Sequence, residues 1–344
     1  MKKRVLIITS YYHPSVKGGG PIRSLKNLVD NLSDKIDFYI ITGDRDLGDS
    51  KPFDSVETES WAQVESAKVY YTDKIRLNWK KYIQLIDSVN CDVIYINSFF
   101  SYRCSIILIL LNKIGKLSGK KMILAPRGEL SEGALGLKNF KKKLYIQMAK
   151  RLKLYDDVKW HSTTEYEMKD IKNVFGERIV VDVASNLTAD YQHIEYSKLI
   201  TKYPGELILV YVSRIHPMKN LLQVLEIIKK LDGQVVFNIF GPIEDKQYWE
   251  KCNQIILNMP RNIKVHYNGL IQNDKLQELY KKQHYFILLT LGENFGHAIA
   301  EALIGGCPVV ISDRTPWRNL ENYLVGWDIP LEKKDEILEV LKTL

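Results

Sequence analysis

Apolar runs of strand length alternate with stretches of helical spacing along almost all of this chain, and few folds accommodate so many alternations in one polypeptide. The pattern predicts strands at Arg4–Ser10, Phe38–Thr42, Lys68–Thr72, Val93–Ser98, Met122–Ala125, Val158–Thr163 and Ile179–Val183, with helices from about Pro21 and through Ile106. A polar stretch, Tyr196–Glu206, carries Pro204 and Gly205 and interrupts the series. Strands are expected again at Leu207–Ser213, Val235–Gly241, Ile263–Gly269, Tyr285–Thr290 and Pro308–Asp313, with a helix over Asn220–Leu231. Alternation of this kind argues for a parallel sheet covered by helices on both faces. A chain of 344 residues exceeds what one hydrophobic core usually supports, so two doubly wound α/β domains are expected, over residues 1–200 and 201–344. Ligands of such folds bind where strands end and loops lead into helices.

Charge narrows the partners. The formal net charge of +8 suits nucleic acid, an anionic membrane surface or phosphorylated substrates. No nucleic-acid-binding signature accompanies the bases, so no nucleic acid partner is expected. Between Lys138 and Lys153, seven bases occur with no acid, interleaved with Phe140, Leu144, Tyr145, Ile146, Met148 and Leu152. Two readings stay open here: a basic amphipathic helix at an anionic membrane, or a solvated helix with its apolar side on the core. The longest aliphatic run, Ile106–Leu111, is far below the roughly 20 residues that span a bilayer. The N-terminal apolar run, Val5–Ile8, is too short for a secretion signal and reads as a buried strand, so a cytoplasmic location is expected. Cys91, Cys104, Cys252 and Cys307 have no metal-ligand spacing and are expected as reduced thiols.

Chemistry concentrates at three predicted strand ends. "YYHPSVKGGGPIRS" places Gly18, Gly19 and Gly20 before Pro21, which suits a first helical position. Glycines there let the backbone approach a ligand, although the spacing is not that of a dinucleotide fingerprint. "VSRIHPMKN" places Arg214 and Lys219 five apart, a planar fork and a mobile point charge suited to gripping a diphosphate. "TLGENFGHAIAEALIGGCPVVISD" sets Glu293 in a loop and Glu301 in the helix entered through Gly296. Free amides at that helix start seat an anion, and the two acids accept hydrogen bonds from hydroxyls.

These residues resemble retaining glycosyltransferases of family 4, which have the GT-B fold of two Rossmann-like parallel-sheet domains facing a central cleft. The resemblance rests on the E-x7-E motif at Glu293 and Glu301, on Arg214 and Lys219, and on Gly18–Gly20. "APRGEL" and "TPWRNL" look like segments of members that build bacterial surface polysaccharides. It implies that Arg214, Lys219 and Glu293 are the catalytic set, the two cations on the donor diphosphate and Glu293 on the donor sugar. Asn294, Phe295, Gly296 and His297 would assist, Glu301 would hold the ribose, Gly269 and Leu270 the base, and Gly19 and Gly20 would join the donor site. His13 and Arg127 would lie on the acceptor side, in a first domain that binds the acceptor while the second binds the donor. Arg127 stands where many members carry His. The architecture often continues past the last helical stretch, which here ends at Leu344; the chain is either a short member or part of a longer protein.

The implied reaction transfers a sugar from a UDP- or GDP-sugar to a glycan acceptor, carried on a polyprenyl diphosphate, at the inner face of the plasma membrane. The donor is a substrate, and neither cofactor nor metal is expected. A nucleotide-sugar epimerase of the same architecture and a non-catalytic basic surface protein remain as alternatives. Asp44 and Asp46 form a D-x-D sequence that reads as a polar turn rather than a metal site. His297 suits either a phosphate contact or a surface helix start, and His161 a structural or an acceptor role.

Overall fold

The computed structural model describes residues 2–73, 78–117, 119–136, 139–189 and 200–344. Lys138 and residues 196–199, parts of the segments read above, lie outside them. The chain forms two compact units, Met1–Asp190 and Tyr191–Leu344.

Unit 1 runs β1 (Lys3–Ile8), α1 (Gly20–Leu32), β2 (Ile36–Gly43), β3 (Trp61–Val64), β4 (Ala67–Thr72), α2 (Trp79–Val89), β5 (Val93–Ile96), α3 (Ile107–Lys113), β6 (Lys121–Leu124), α4 (Glu132–Gly136), α5 (Asn139–Arg151), β7 (Val158–Ser162), α6 (Glu165–Phe175) and β8 (Val181–Val183). Among the described residues its sheet has the order β3-β4-β2-β1-β5-β6-β7-β8. Every pairing is parallel except β3 with β4, so the expected parallel sheet gains an antiparallel edge strand. Leu6 and Ile8 of β1 pack in one core and Ile7 in another. Because strand side chains alternate in direction, this places a core on each face of the sheet. α1 starts with Pro21 in its first turn and buries Ile22, Leu25 and Val29, one stripe at helical spacing.

Unit 2 runs β9 (Glu206–Val212), α7 (Leu221–Ile228), β10 (Gln234–Phe240), α8 (Lys246–Leu257), β11 (Ile263–Tyr267), α9 (Leu276–Tyr280), β12 (Tyr285–Leu288), α10 (His297–Ile304), β13 (Val309–Ser312), β14 (Gly326–Ile329) and α11 (Lys334–Thr343). The described strands form a wholly parallel sheet of order β11-β10-β9-β12-β13-β14. The order reverses between β9 and β12, so their carboxyl ends form the switch point where such sheets bind ligands. Two close approaches of backbone tie neighbouring strands, one at this carboxyl end and one at the amino ends of β13 and β14. A Cβ at Gly241 would lie 1.9 Å from the Ser213 carbonyl oxygen, and one at Gly326 would lie 2.0 Å from that of Val309. Only glycine permits backbones to meet so closely.

Candidate functional site

In unit 2, Ser213 and Arg214 follow β9 directly, and Lys219 ends a short 3-10 turn, Pro217–Lys219, that leads into α7. His216 caps this turn, its Nδ1 accepting from the Met218 amide at 3.1 Å. The Met218 carbonyl accepts from the Leu291 amide at 2.8 Å and from Thr290 Oγ1 at 3.0 Å, fastening the turn to the loop after β12. That loop carries Glu293, whose amide donates to the Arg314 carbonyl at 2.9 Å. These ties bring Lys219 Nζ into an ion pair with Glu293 Oε1, both side chains being mostly buried. Arg214 Nη1 is paired with Glu244 Oε2 at 2.6 Å at a more exposed position.

Gly296 caps α10 with φ 80°, and no side chain accepts from its first turn. The Ile299 and Ala300 amides return to the Gly296 carbonyl, so the helix start presents backbone donors beside Glu293. Asn294 and Phe295 are half-buried; the Phe295 ring lies 4.7 Å from that of His297, and its carbonyl accepts from Trp317 Nε1 at 2.5 Å. His297 is 8% exposed, which removes the surface alternative for this residue. Glu301 is 5% exposed, one helical turn further into α10. Gly269, at φ 70°, follows β11, and its carbonyl accepts from the Gly241 amide at 2.7 Å; Leu270 beside it is exposed. Lys219 and Glu293 therefore meet, at the strand ends that also carry Arg214 and Gly296.

His13, Gly19, Gly20 and Arg127 belong to unit 1 and gather at its own strand ends. Gly19 caps α1 with φ 69°, and the His13 carbonyl accepts from Tyr71 Oη at 2.6 Å. Arg127 follows β6 in a left-handed conformation, φ 57°, which costs a non-glycine residue about 1 kcal/mol or more. Its surroundings hold it there. Nε donates to Asn97 Oδ1 at 2.6 Å, Nη1 to Asn186 Oδ1 at 2.7 Å and Nη2 to Tyr95 Oη at 2.8 Å. Glu167, nearly fully buried, accepts from the Gly128 amide, and Glu129 accepts from the Phe99 and Phe100 amides. All three guanidinium partners are neutral, and arginine does not deprotonate, so Arg127 is a fixed cation and not a base.

His161, in β7, is bonded at both ring nitrogens. Its Nε2 faces the Ala184 carbonyl at 2.9 Å, and since a carbonyl only accepts, that nitrogen carries the proton. Nδ1 then accepts from Tyr95 Oη at 2.8 Å. Burial, more than the nearby charge of Arg127, holds the imidazole below its ordinary pKa. Sequence reading passed over Tyr95, Asn97, Asn186, Glu167 and Glu244 because single polar residues in strands and loops carry no periodic signal. Glu129 lay within the motif "APRGEL" and Glu167 at the end of "WHSTTEYE", but neither was singled out.

The basic helix has features of both readings of it, an apolar side on the core and a second apolar stripe left exposed among the bases. Ile146 and Ala149 of α5 are buried, but Phe140, Leu144 and Met148, at successive i+4 positions, are exposed, Phe140 by 81%. Lys141, Lys143, Lys150 and Arg151 are exposed around them, and none forms an ion pair among the described residues. Beside it, α3 exposes Leu110, and Ile114 follows exposed at its end. Lys113 Nζ reaches the Lys153 carbonyl at 3.0 Å, linking the two helical segments.

Residues 194–339 match the family described as glycosyl transferases group 1. The whole chain is similar in structure to Anabaena HepE in complex with UDP and glucose, at 14% identity and a TM-score of 0.69, with 99% of this chain and 89% of that chain covered. It is similar also to sucrose-phosphate synthase from Thermosynechococcus elongatus, at 12% identity and TM-score 0.70, over 99% and 89% of the two chains. WaaG, a glycosyltransferase involved in lipopolysaccharide biosynthesis, aligns at 13% identity and TM-score 0.63, over 98% and 90%. No curated protein sequence matches the chain. The fold is GT-B, with two parallel-sheet α/β domains. The group 1 match falls on the C-terminal unit.

Proposed function

We propose that this protein is a retaining glycosyltransferase of family 4 that moves a sugar from a UDP- or GDP-sugar to a glycan acceptor on a polyprenyl diphosphate carrier, in surface polysaccharide synthesis. The observation that carries the reading is the contact of Lys219 with Glu293 beside the open start of α10. A cation, a carboxylate and helix-end amides at one strand-end cluster match a ligand bearing both phosphates and hydroxyls. HepE, whose structures hold UDP and UDP-glucose, has the same fold and favours a nucleotide-sugar donor.

In this reading Arg214 and Lys219 take the donor diphosphate, and Glu293 exchanges its ion pair for hydroxyls of the donor sugar. Amides of Asn294, Phe295, Gly296 and His297 assist, Glu301 serves the ribose, and the backbone at Gly269 and Leu270 takes the base. Gly19 and Gly20, at the start of α1, are donor-side candidates in the same reading. As the anomeric bond breaks, negative charge grows on the leaving diphosphate; each preorganised donor facing it contributes about 3 kcal/mol. The acceptor hydroxyl attacks the anomeric carbon from the same face, and its proton passes to a donor phosphate oxygen, so configuration is retained without an enzyme nucleophile. The two cations do the work of a metal in neutralising this charge, and no metal or cofactor is invoked. On the acceptor side stand His13 and Arg127, the latter a fixed cation suited to an acidic group of the acceptor.

The exposed stripe of Phe140, Leu144 and Met148, ringed by unpaired bases, suits an anionic membrane and supports a lipid-linked acceptor at the cytoplasmic face. Among the described residues no helix is long and apolar enough to cross a membrane, which fits peripheral attachment. The test pairs calorimetry over UDP-, GDP- and ADP-sugars with donor turnover. Arg214→Ala and Lys219→Ala are expected to keep the fold and lower turnover by about 100-fold or more. Unchanged transfer in both variants refutes the assignment, and product formed without acceptor favours the epimerase.

A further inference from the structure

Unit 1 has a switch point of its own. From β1 the chain moves out to β2 on one side and later lays β5 on the other, so the carboxyl ends of β1 and β5 open onto one crevice. A recess of about 250 Å³ lies there, lined by Thr9 and Ser10 beyond β1, Gly43 at the end of β2, and Ser101, Tyr102 and Arg103 beyond β5. All of these residues belong to unit 1. The volume is below the roughly 300–1,000 Å³ of drug-sized pockets, so it suits one ring rather than an extended ligand.

Bonds to the next loop hold the rim. Tyr102–Ile106 form one wide turn, the Ile106 amide returning five residues to the Ser101 carbonyl at 3.0 Å, and π-type turns of this kind are frequent at functional sites. Ser101 Oγ accepts from the Cys104 amide at 3.2 Å, and the Ser101 amide donates to Ser98 Oγ at 3.2 Å. Ser98 Oγ donates in turn to Glu129 Oε1 at 2.9 Å, in the loop after β6.

The lining combines hydroxyls, an aromatic ring and a guanidinium. Ser10 Oγ lies 3.5 Å from the Cys104 thiol, a weak partner that leaves the hydroxyl capacity for a ligand. Tyr102 is 65% exposed and offers apolar ring surface to the C–H face of a sugar. Arg103 is half-buried and forms no ion pair among the described residues. Arg127, after β6, bonds to neutral groups. Unit 2 differs, since its Arg214 and Lys219 each hold a carboxylate already. Positive charge at the strand ends of unit 1 is thus left for a ligand to neutralise, and the planar fork of arginine matches a carboxylate.

We propose that this recess binds a single sugar unit of the acceptor and that the unit carries a carboxylate, gripped by Arg103 while Tyr102 packs on the ring and Ser10 and Ser101 meet its hydroxyls. Calling this ligand the acceptor rests on the glycosyl-transfer reading; the contact itself lies within unit 1.

The test titrates the full chain, by ligand-observed NMR, with the methyl glycosides of glucuronate and galacturonate and with their neutral counterparts, methyl glucoside and methyl galactoside. Inorganic diphosphate, standing for the anion of a carrier lipid, is titrated alongside. At least one uronate is expected to bind about tenfold or more tighter than its neutral counterpart. Arg103→Gln is expected to abolish that difference and Tyr102→Ala to weaken uronate and neutral glycoside alike. Arg103→Lys, which keeps the charge and loses the fork, is expected to shrink the difference, and it replaces Arg103→Gln if that does not fold. Equal affinity of the wild type for both glycosides, or no measurable binding of either uronate, overturns the proposal. So does a uronate preference unchanged in the Arg103 variants, or binding unchanged in Tyr102→Ala. If Arg103→Gln lowers affinity for diphosphate and for neither uronate, the cation reads the carrier and the sugar assignment falls. If the chain turns over no nucleotide sugar while the uronate preference holds and depends on Arg103, the glycosyl-transfer reading fails and the carboxylate site stands.

Discussion

Arg127 shows how much a single side chain depends on partners far away in the chain. Its guanidinium, the Tyr95 hydroxyl and the His161 ring form a line of hydrogen bonds in which each donor is determined by its neighbour, ending at the Ala184 carbonyl. A second proton on His161 turns Nδ1 from acceptor to donor and breaks that line. With a folded pKa below the ordinary value, the unfolded chain binds more protons from about pH 6.5 downward, so this group's contribution to stability falls as pH falls through that range. The slope approaches about 1.4 kcal/mol per pH unit for one proton. Asp170 acts in the opposite sense: burial, then Glu167 and Glu132, push its carboxyl up to about 6, so its contribution is lost as pH rises through about 6. The difference between wild-type and His161→Gln denaturation curves isolates the ring. That difference is expected to shrink from pH 7 to pH 5; a constant difference shows that the ring does not titrate in this window.

Among the elements, α5 carries a prediction of its own. Its buried positions, Ile146 and Ala149, serve the core, and the stripe of Phe140, Leu144 and Met148 does not. Removing each of these side chains at a membrane interface should cost about 1 kcal/mol, less than the value for full burial. The triple change to Ser is expected to weaken binding to phosphatidylglycerol vesicles by about two orders of magnitude and to leave the far-UV spectrum unchanged. Equal binding of variant and wild type in sedimentation rules out this face, and equal wild-type binding to neutral vesicles rules out the cations. Elements also differ in how readable they are. Strands such as β1 and β13 are continuous apolar runs, because buried parallel strands need both faces apolar. β3 was missed: "WAQV" is four residues with no pattern of its own, and it becomes a strand by pairing with β4. β14 was missed for the same reason, since Asp328 breaks its apolar run.

At the scale of the whole molecule, the described core of unit 2 shares no residue with the two cores of unit 1. Truncating a residue at the centre of unit 2 should then be felt inside that unit, because distant sites without shared partners act independently. Phe237→Ala is expected to destabilise unit 2 by about 3–5 kcal/mol and to speed exchange within residues 200–344, while β1 amides keep their protection. Equal loss of protection in β1 contradicts two independent cores. Two doubly wound parallel-sheet units were legible beforehand because strand and helix periodicities are local and repeat down the chain, whereas GT-B was implied only by the resemblance of a few motifs. Arg214, Lys219, Glu293 and Glu301 were legible as types at strand ends. Their partners were not: that Lys219 meets Glu293, that Arg214 meets Glu244, and that Asp46 closes on residues 15–17 are contacts between segments distant in the chain. Local sequence determined the elements and their order, since apolar period and glycine placement act over a few residues. Only the tertiary structure decided which charges pair and which acids are buried, because those depend on loops converging at the ends of neighbouring strands.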